Sequence, residues 1–204
     1  MSGSAKKISA TDMTVGSPAK LIVSFSLPLL VGNVFQQLYN MVDSIVVGNY
    51  VGKTALAAVG VGFPIIFLLT SLFIGISMGA TVMIAQYIGA GDKETVGKTV
   101  NTIYGGVLII VVPLTLLGIF LTDPLLALTK VPASVYEDAR IYTMVVLAGL
   151  IGTLGYNINT GIMEGLGDSK TPLIFLAIAC VINIVLDLVF VIVFHWGVFG
   201  VAFA

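Results

Sequence analysis

Two carboxylates stand inside long apolar stretches of this 204-residue chain, Asp43 and Asp187. Asn183 lies four residues before Asp187, so on a helix its amide and the carboxylate share one face. Such carboxylates are costly unless they face a cavity, a polar partner or an ion. Their oxygens, together with the amide oxygen, are hard donors that suit Na⁺, and a carboxylate can instead carry a proton. Asp43, Asn183 and Asp187 are thus candidates for a cation site, while an interhelical hydrogen bond is the structural alternative.

A polar stripe accompanies Asp43. Gln36, Tyr39, Asn40 and Asp43 follow an i, i+3, i+4, i+7 spacing, which places them on one helix face, and Asn33 lies near it. A helix that faces lipid has no use for this stripe, so it predicts a face turned to the protein interior. Another apolar stretch repeats the spacing with Asn157, Thr160 and Glu164. We expect Glu164 at the membrane rim, either solvated or paired with a lysine.

Residues 75–79 read Gly-Ile-Ser-Met-Gly and fit the G-x-S-x-G pattern of serine hydrolases. That pattern needs a strand–turn–helix context, whereas Ser77 lies in a long apolar run and the single histidine, His195, is far along the sequence. An intramembrane serine hydrolase is therefore a weak alternative, and we expect neither an enzyme nor a cofactor. Thr70, Ser77 and Thr81 are expected to serve helix packing or to bond backbone carbonyls.

The composition places this chemistry in a membrane. Hydrophobic residues make up 58% of the chain and charged residues 9%, with a mean hydropathy of +1.11. Soluble domains carry about a quarter charged residues, so lipid must solvate much of this surface. The formal net charge of −1 gives no electrostatic reason to bind nucleic acid. Cys180 is the single cysteine, which excludes an intrachain disulfide, and we expect it to be an apolar helix residue.

A span of the hydrocarbon core needs roughly 20 apolar residues. Five stretches qualify, at about 21–50, 56–88, 96–122, 138–164 and 172–195, and a sixth begins at 198–204. Predicted breaks lie at 52–54, 89–93, 122–124 with 130–132, and 165–172. The prediction is an all-α polytopic transmembrane bundle over 18–204 behind a cytoplasmic tail, 1–17. Asp187 falls about midway through the fifth span. The sixth stretch, 198–204, has only seven residues, which cannot cross a bilayer, so we expect the parent protein to continue.

Two glycine patterns and one pair of similar loop sequences bear on how the helices meet. Gly75-x-x-x-Gly79 and Gly161-x-x-x-Gly165 permit close helix crossings. Residues 89–95 resemble residues 165–171, and the simplest reading is that glycine closes one helix and aspartate caps the next. A shared gate or a duplicated hairpin is the alternative.

The basic residues predict the orientation, because they concentrate on the cytoplasmic side. With the N-terminus inside, six lysines lie inside and three basic residues lie outside. The inside set is Lys6, Lys7, Lys20, Lys93, Lys98 and Lys170; the outside set is Lys53, Lys130 and Arg140.

Taken in order, residues 27–43, 75–91 and 161–172 resemble the multidrug and toxic compound extrusion (MATE) family, and the resemblance covers about residues 15–204. It implies one six-helix lobe, the N-terminal one, of a two-lobe transporter in the plasma membrane, here a bacterial inner or cell membrane. Such proteins export organic cations or amphiphiles in antiport with Na⁺ or H⁺.

The resemblance also implies roles for individual residues. Asp43, Asn183 and Asp187 match the family's cation site, and are the metal ligands if the coupling ion is Na⁺. Tyr39 and Asn157 line the cavity, and with Gln36 and Asn40 they form our candidate substrate-cavity set. A threonine of the sixth helix completes the site in some members, but its position lies beyond Ala204, so the coupling ion stays open. The implied partners are the lipid bilayer, small cationic or amphiphilic substrates and the C-terminal lobe.

Two other functions are alternatives to efflux. A flippase for lipid-linked precursors belongs to the same wider superfamily, but it needs a basic cavity, and the predicted spans hold no central lysine or arginine. A membrane scaffold without transport activity gives no reason for the intramembrane carboxylates.

Overall fold

Helices make up almost all of the chain that the structure, a computed structural model, describes, namely Met13 and residues 16–204. Nearly all of the predicted tail, 1–17, lies outside the described residues. The helices are α1 (Pro18–Val46), α2 (Lys53–Gly89), α3 (Lys93–Leu128), α4 (Ala133–Ala148), α5 (Leu150–Gly165), α6 (Lys170–Leu188) and α7 (Gly197–Phe203). A π-helical turn extends α1 over Val47–Val51, and a second extends α6 over Val189–Val193.

Four of these helices, with their π-helical turns, are long and apolar enough to cross a membrane: Pro18–Val51, Lys53–Gly89, Lys93–Leu128 and Lys170–Val193. The pair α4 and α5 meets the same criteria together, which gives five spans if the pair is one span. The predicted all-α transmembrane bundle is confirmed.

The fourth span is not the single helix that the sequence predicted over 138–164. It begins at Ala133 and bends by 48° where α4 passes into α5. Gly149 stands at the break, and its carbonyl accepts hydrogen bonds from the amides of Gly152 and Thr153. Apolar residues continue through the bend, so no polar residue marks it in the sequence.

The predicted end of the third span at residue 122 is wrong as well, because α3 continues to Leu128 through Pro124. Proline removes one donor from a helix, and here it does so close to the C-terminal end. Asp123 does not cap a new helix. It accepts hydrogen bonds from the Tyr136 hydroxyl (3.0 Å) and from Arg140 Nε (2.8 Å), which tie α3 to α4.

The two loops with similar sequences also share one geometry. Gly91 (φ +76°) and Gly167 (φ +86°) hold the left-handed conformation that ends the preceding helix. Asp92 then accepts hydrogen bonds from the amide and hydroxyl of Thr95, and Asp168 accepts the same pair from Thr171. The simpler interpretation of the sequence similarity, that glycine ends one helix and aspartate caps the next, explains both loops.

These hydrogen bonds, first of all those from the threonine hydroxyls, hold the pKa of Asp92 and of Asp168 below its ordinary value. Each aspartate is therefore a charged cap at neutral pH. The stabilisation that it contributes is present above the ordinary pKa and is lost as the pH falls through the lowered one.

Helix α2 is the centre of one group, since it packs against α3, α4 and α5, whereas α1 packs mainly against α6. The two groups meet at one end, where α7 lies against α4 and both π-helical turns. A buried cluster fills that junction: Val46, Val47, Ala55, Val191, Val198 and Val201. Outside the core, large apolar side chains such as Ile109 (74% exposed) and Phe120 (80% exposed) face outwards, as lipid contact requires.

The α2–α5 crossing depends on two glycines of α5. A Cβ atom on Gly161 would lie 2.5 Å from Ser77 Oγ, and one on Gly165 would lie 2.8 Å from the Thr81 carbonyl oxygen. The predicted close crossing at Gly161-x-x-x-Gly165 is confirmed. At Gly75-x-x-x-Gly79 the described residues form no such crossing, since both glycines are exposed and no described atom lies within 4 Å of a Cβ built there.

We expect the Gly89–Thr95 loop inside and the α3–α4 loop outside. In a Cys180→Ala background, a membrane-impermeant maleimide applied to intact cells should label Ser134→Cys at once. It should label Glu94→Cys only after the membrane is made permeable. Both positions are exposed, so access to the aqueous phase decides the result. The reverse pattern would contradict the predicted orientation.

Candidate cation site

Helices α1 and α6 place the two acidic residues side by side. Near the middle of α1, a Cβ atom on Gly32 would contact the side chains of Leu173 and Leu176 on α6 at 3.6 Å. Asp43 follows Gly32, and Asp187 follows Leu176, by the same number of residues, about three helical turns. The helices are therefore in register, and the two carboxyl groups lie within electrostatic range of each other.

Asp187 is fully buried, with 0% of its surface exposed. Within the described chain, neither of its carboxylate oxygens has a hydrogen-bond partner, and the same holds for the buried Asn183 Oδ1. Asp43 is half-buried. An ionised carboxylate accepts hydrogen bonds but cannot donate one, so the two aspartates cannot satisfy each other while both are charged.

The predicted depth of Asp187, midway along the fifth span, is wrong. It is the penultimate residue of α6, two residues before the π-helical turn Val189–Val193. The sequence stays apolar through that turn, so it gave no sign of the change in helix type. Asp43 likewise lies four residues before the π-helical turn of α1. Isolated π-helical turns are frequent at functional sites.

Two tyrosines adjoin the carboxylates. Tyr39, half-buried on α1, and Tyr142, half-buried on α4, both lie within electrostatic range of Asp43 and Asp187. Tyr39 belongs to the predicted stripe, whereas Tyr142 was not among the predicted site residues. The available signal was a polar aromatic residue followed by Thr143 inside an apolar span. Thr143 is fully buried, and its hydroxyl has no partner among the described residues.

The other proposed cavity residues are less close to this group. Gln36 and Asn40 are exposed along α1. Asn157 is held on α5 by a hydrogen bond from its side-chain amide to the Thr153 carbonyl oxygen (2.8 Å). In the part of the chain described, no hydrogen bond joins Asn157 to either aspartate. Glu164 is half-buried at the end of α5, and among the described residues no lysine pairs with it, which leaves the solvated alternative.

The hydroxyls of α2 have the structural roles that the sequence predicted. Ser77 lies within continuous helix and donates a hydrogen bond to the Asn157 carbonyl oxygen (2.7 Å). Thr81 donates to the carbonyl oxygens of Ser77 and Gly161, and Thr70 donates to that of Ile66. Ser77 therefore has neither the turn nor the free hydroxyl of a hydrolase nucleophile.

The arrangement is suited to binding a small cation. Two adjacent carboxylates in an apolar setting repel each other and lose hydration when both are charged. A proton shared between them, or a Na⁺ ion coordinated by Asp43, Asp187 and Asn183 Oδ1, would remove that cost. The unpaired oxygens of Asp187 and Asn183 fit either cation as buried hard donors.

The sequence profile of the MatE family matches residues 28–189. The chain is 33% identical over 195 residues to "Probable multidrug resistance protein YpnP" of Bacillus subtilis, covering 96% of this chain and 44% of that protein. It is 34% identical over 176 residues to "Probable multidrug resistance protein YoeA" of the same organism, with coverages of 86% and 37%. The chain thus spans less than half the length of these relatives.

A solved structure extends the match to three dimensions. The structure described as "Outward-facing conformation of a multidrug resistance MATE family transporter of the MOP superfamily" aligns with a TM-score of 0.90 at 32% identity. The alignment covers 97% of this chain and 44% of that one, which agrees with one lobe of a two-lobe protein. Sequence profile, relatives and fold lead to one conclusion: the chain belongs to the MatE family of multi-pass membrane proteins.

Proposed function

We propose that this chain is the N-terminal lobe of a secondary active efflux transporter. It exports organic cations or other amphiphiles in antiport with Na⁺ or H⁺, and Asp43, Asn183 and Asp187 bind the coupling ion. The observation that carries the proposal is the fully buried Asp187, whose unpaired carboxylate adjoins a second carboxylate. The relatives named for multidrug resistance support the choice of substrate class.

Coupling follows from the cost of burying charge. A carboxylate pair without a cation is unfavourable in an apolar site, so the cation-free lobe favours a conformation that hydrates the pair or separates it. Cation binding favours the closed arrangement of α1 against α6. The shift between the two states is limited by the difference in their affinities for the cation. In alternating access, one bundle moves against the other around such a site, which makes a second lobe a necessary partner.

The test uses the full-length protein in liposomes loaded with ethidium, under a Na⁺ gradient alone and then under a pH gradient alone. One of the gradients should drive ethidium transport well above the rate in protein-free liposomes, and its identity names the coupling ion. An ionophore that collapses that gradient should abolish the transport. Failure of both gradients, with several cationic dyes, would refute the proposed antiport.

A further inference from the structure

Five aromatic rings gather at the corner where the chain turns from α6 into α7. They belong to Phe190, Phe194, Trp196, Phe199 and Phe203. Trp196 is the hub: its ring centroid lies 5.0 Å from that of Phe190, 5.3 Å from that of Phe194 and 5.7 Å from that of Phe199. These are the separations of stacked and edge-to-face pairs, which stabilise an aromatic cluster beyond its burial.

The backbone forces the rings together. His195 (φ +55°) and Gly197 (φ +56°) both take the left-handed conformation on either side of Trp196, and the Trp196 amide donates to the Phe190 carbonyl oxygen (2.9 Å). A non-glycine residue in that conformation is uncommon. Because of these two left-handed residues, the chain turns so that Trp196 packs over Phe190, next to the first turns of α7.

The cluster is a surface and not a core. Exposure is 43% for Trp196, 51% for Phe194 and 60% for Phe203. Polar groups border it on the side of the loops. His195 is exposed, and the α1–α2 junction adjoins the corner, since a Cβ atom on Gly197 would lie 3.7 Å from Val51 Cγ1. That junction carries the exposed residues Tyr50 and Lys53.

We propose that this aromatic corner is a lipid-binding anchor that sits in the headgroup–acyl boundary of one leaflet, the outer leaflet in the predicted orientation. The apolar span ends at Val193 and α7 begins at Gly197, so residues 194–196 directly follow the end of a span. Tryptophan and tyrosine concentrate at that level because their rings are apolar and their edges are polar. The corner combines apolar phenylalanine rings, the amphipathic indole of Trp196 and the polar residues His195 and Lys53. This range of polarity matches the change from acyl chains to headgroups across the boundary.

Trp196 is the single tryptophan of these 204 residues and therefore reports its own position. The full-length protein and its Trp196→Phe variant are reconstituted in liposomes, and the difference in their emission isolates this ring. Lipids brominated near the headgroup should quench the difference signal at least about twice as strongly as lipids brominated near the chain terminus. Aqueous acrylamide should quench it weakly.

A second variant keeps the experiment decisive. Trp196→Phe combined with Phe203→Trp moves the probe to the far end of α7, to a ring whose centroid lies 6.4 Å from that of Trp196. Its quenching maximum should shift towards the deeper bromines. Strong quenching of Trp196 by acrylamide without lipid quenching would place the corner in an aqueous cavity. Protection from both quenchers would place it against the second lobe. Either result overturns the proposal.

Discussion

Asp187→Asn should abolish cation-driven efflux by the full-length protein while leaving insertion and folding intact. The substitution keeps the shape of the side chain and its ability to hydrogen-bond, but it removes the charge that a cation would neutralise. Asp187 is fully buried, and its oxygens have no partner in the described chain, so little structure depends on the charge. We expect gradient-driven ethidium transport to fall at least about tenfold, equivalent to about 1.4 kcal/mol of lost coupling.

Two further variants separate coupling from stability. Asp43→Asn should be impaired less severely, since Asp43 is half-buried. Glu94→Gln removes a charge from an exposed ion pair with Lys98 (2.7 Å) and should transport at the wild-type rate. Size-exclusion profiles and thermal melting of all three should match those of the wild type. Wild-type efflux by Asp187→Asn under both gradients would mean that the carboxylate is structural.

Gly161→Val should destabilise the α2–α5 interface strongly. A Cβ atom at this position would lie 2.5 Å from Ser77 Oγ, 2.8 Å from Thr81 Oγ1 and 3.0 Å from the Ser77 carbonyl oxygen. The serine hydroxyl could rotate away, but the backbone oxygen cannot move without displacing α2. Overpacking of this kind costs about 1–3 kcal/mol. Two interhelical hydrogen bonds, at 2.7 and 2.9 Å, would be strained as well, each worth about 1 kcal/mol.

Gly155→Val is the matched control on the same helix. It introduces the same side chain, but no described atom lies within 4 Å of a Cβ built at Gly155. The two variants therefore share their effect on helix propensity and differ in contact with α2. We expect the melting temperature of the detergent-solubilised full-length protein to fall clearly for Gly161→Val and to change little for Gly155→Val. Equal melting temperatures would show that α2 and α5 do not rely on this crossing.

The spans could be predicted because lipid imposes a simple requirement, a long apolar run, whereas breaks within a run have no comparable signal. Asp123 and Pro124 predict a break because both residue types commonly interrupt helices. In the structure the proline falls near the end of α3, and the aspartate is held by α4. Gly149, which does bend a span, resembles the other glycines of the chain that stay within straight helices.

The candidate site could be predicted from the sequence for the same reason. A carboxylate is so costly in an apolar span that Asp43 and Asp187 stand out without a structure, and the spacing of Asn183 follows from helix periodicity. Tyr142 was missed because its place near the two carboxylates depends on where the folded bundle puts α4, which no local pattern encodes. Gly75-x-x-x-Gly79 shows the opposite case: the motif permits close packing, but no described helix lies against these glycines.

The parallel register of α1 and α6 has an electrical consequence. Asp43 and Asp187 both stand about three-quarters of the way along their apolar runs, Pro18–Val51 and Lys170–Val193. With the N-terminus inside, a cation arriving from outside crosses only the shallow part of the membrane voltage before it binds. The full potential is worth about 2.3 kcal/mol per elementary charge per 100 mV. Most of that energy would then act on release towards the cytoplasm, so voltage would chiefly change the rate of ion unloading and leave external affinity nearly constant.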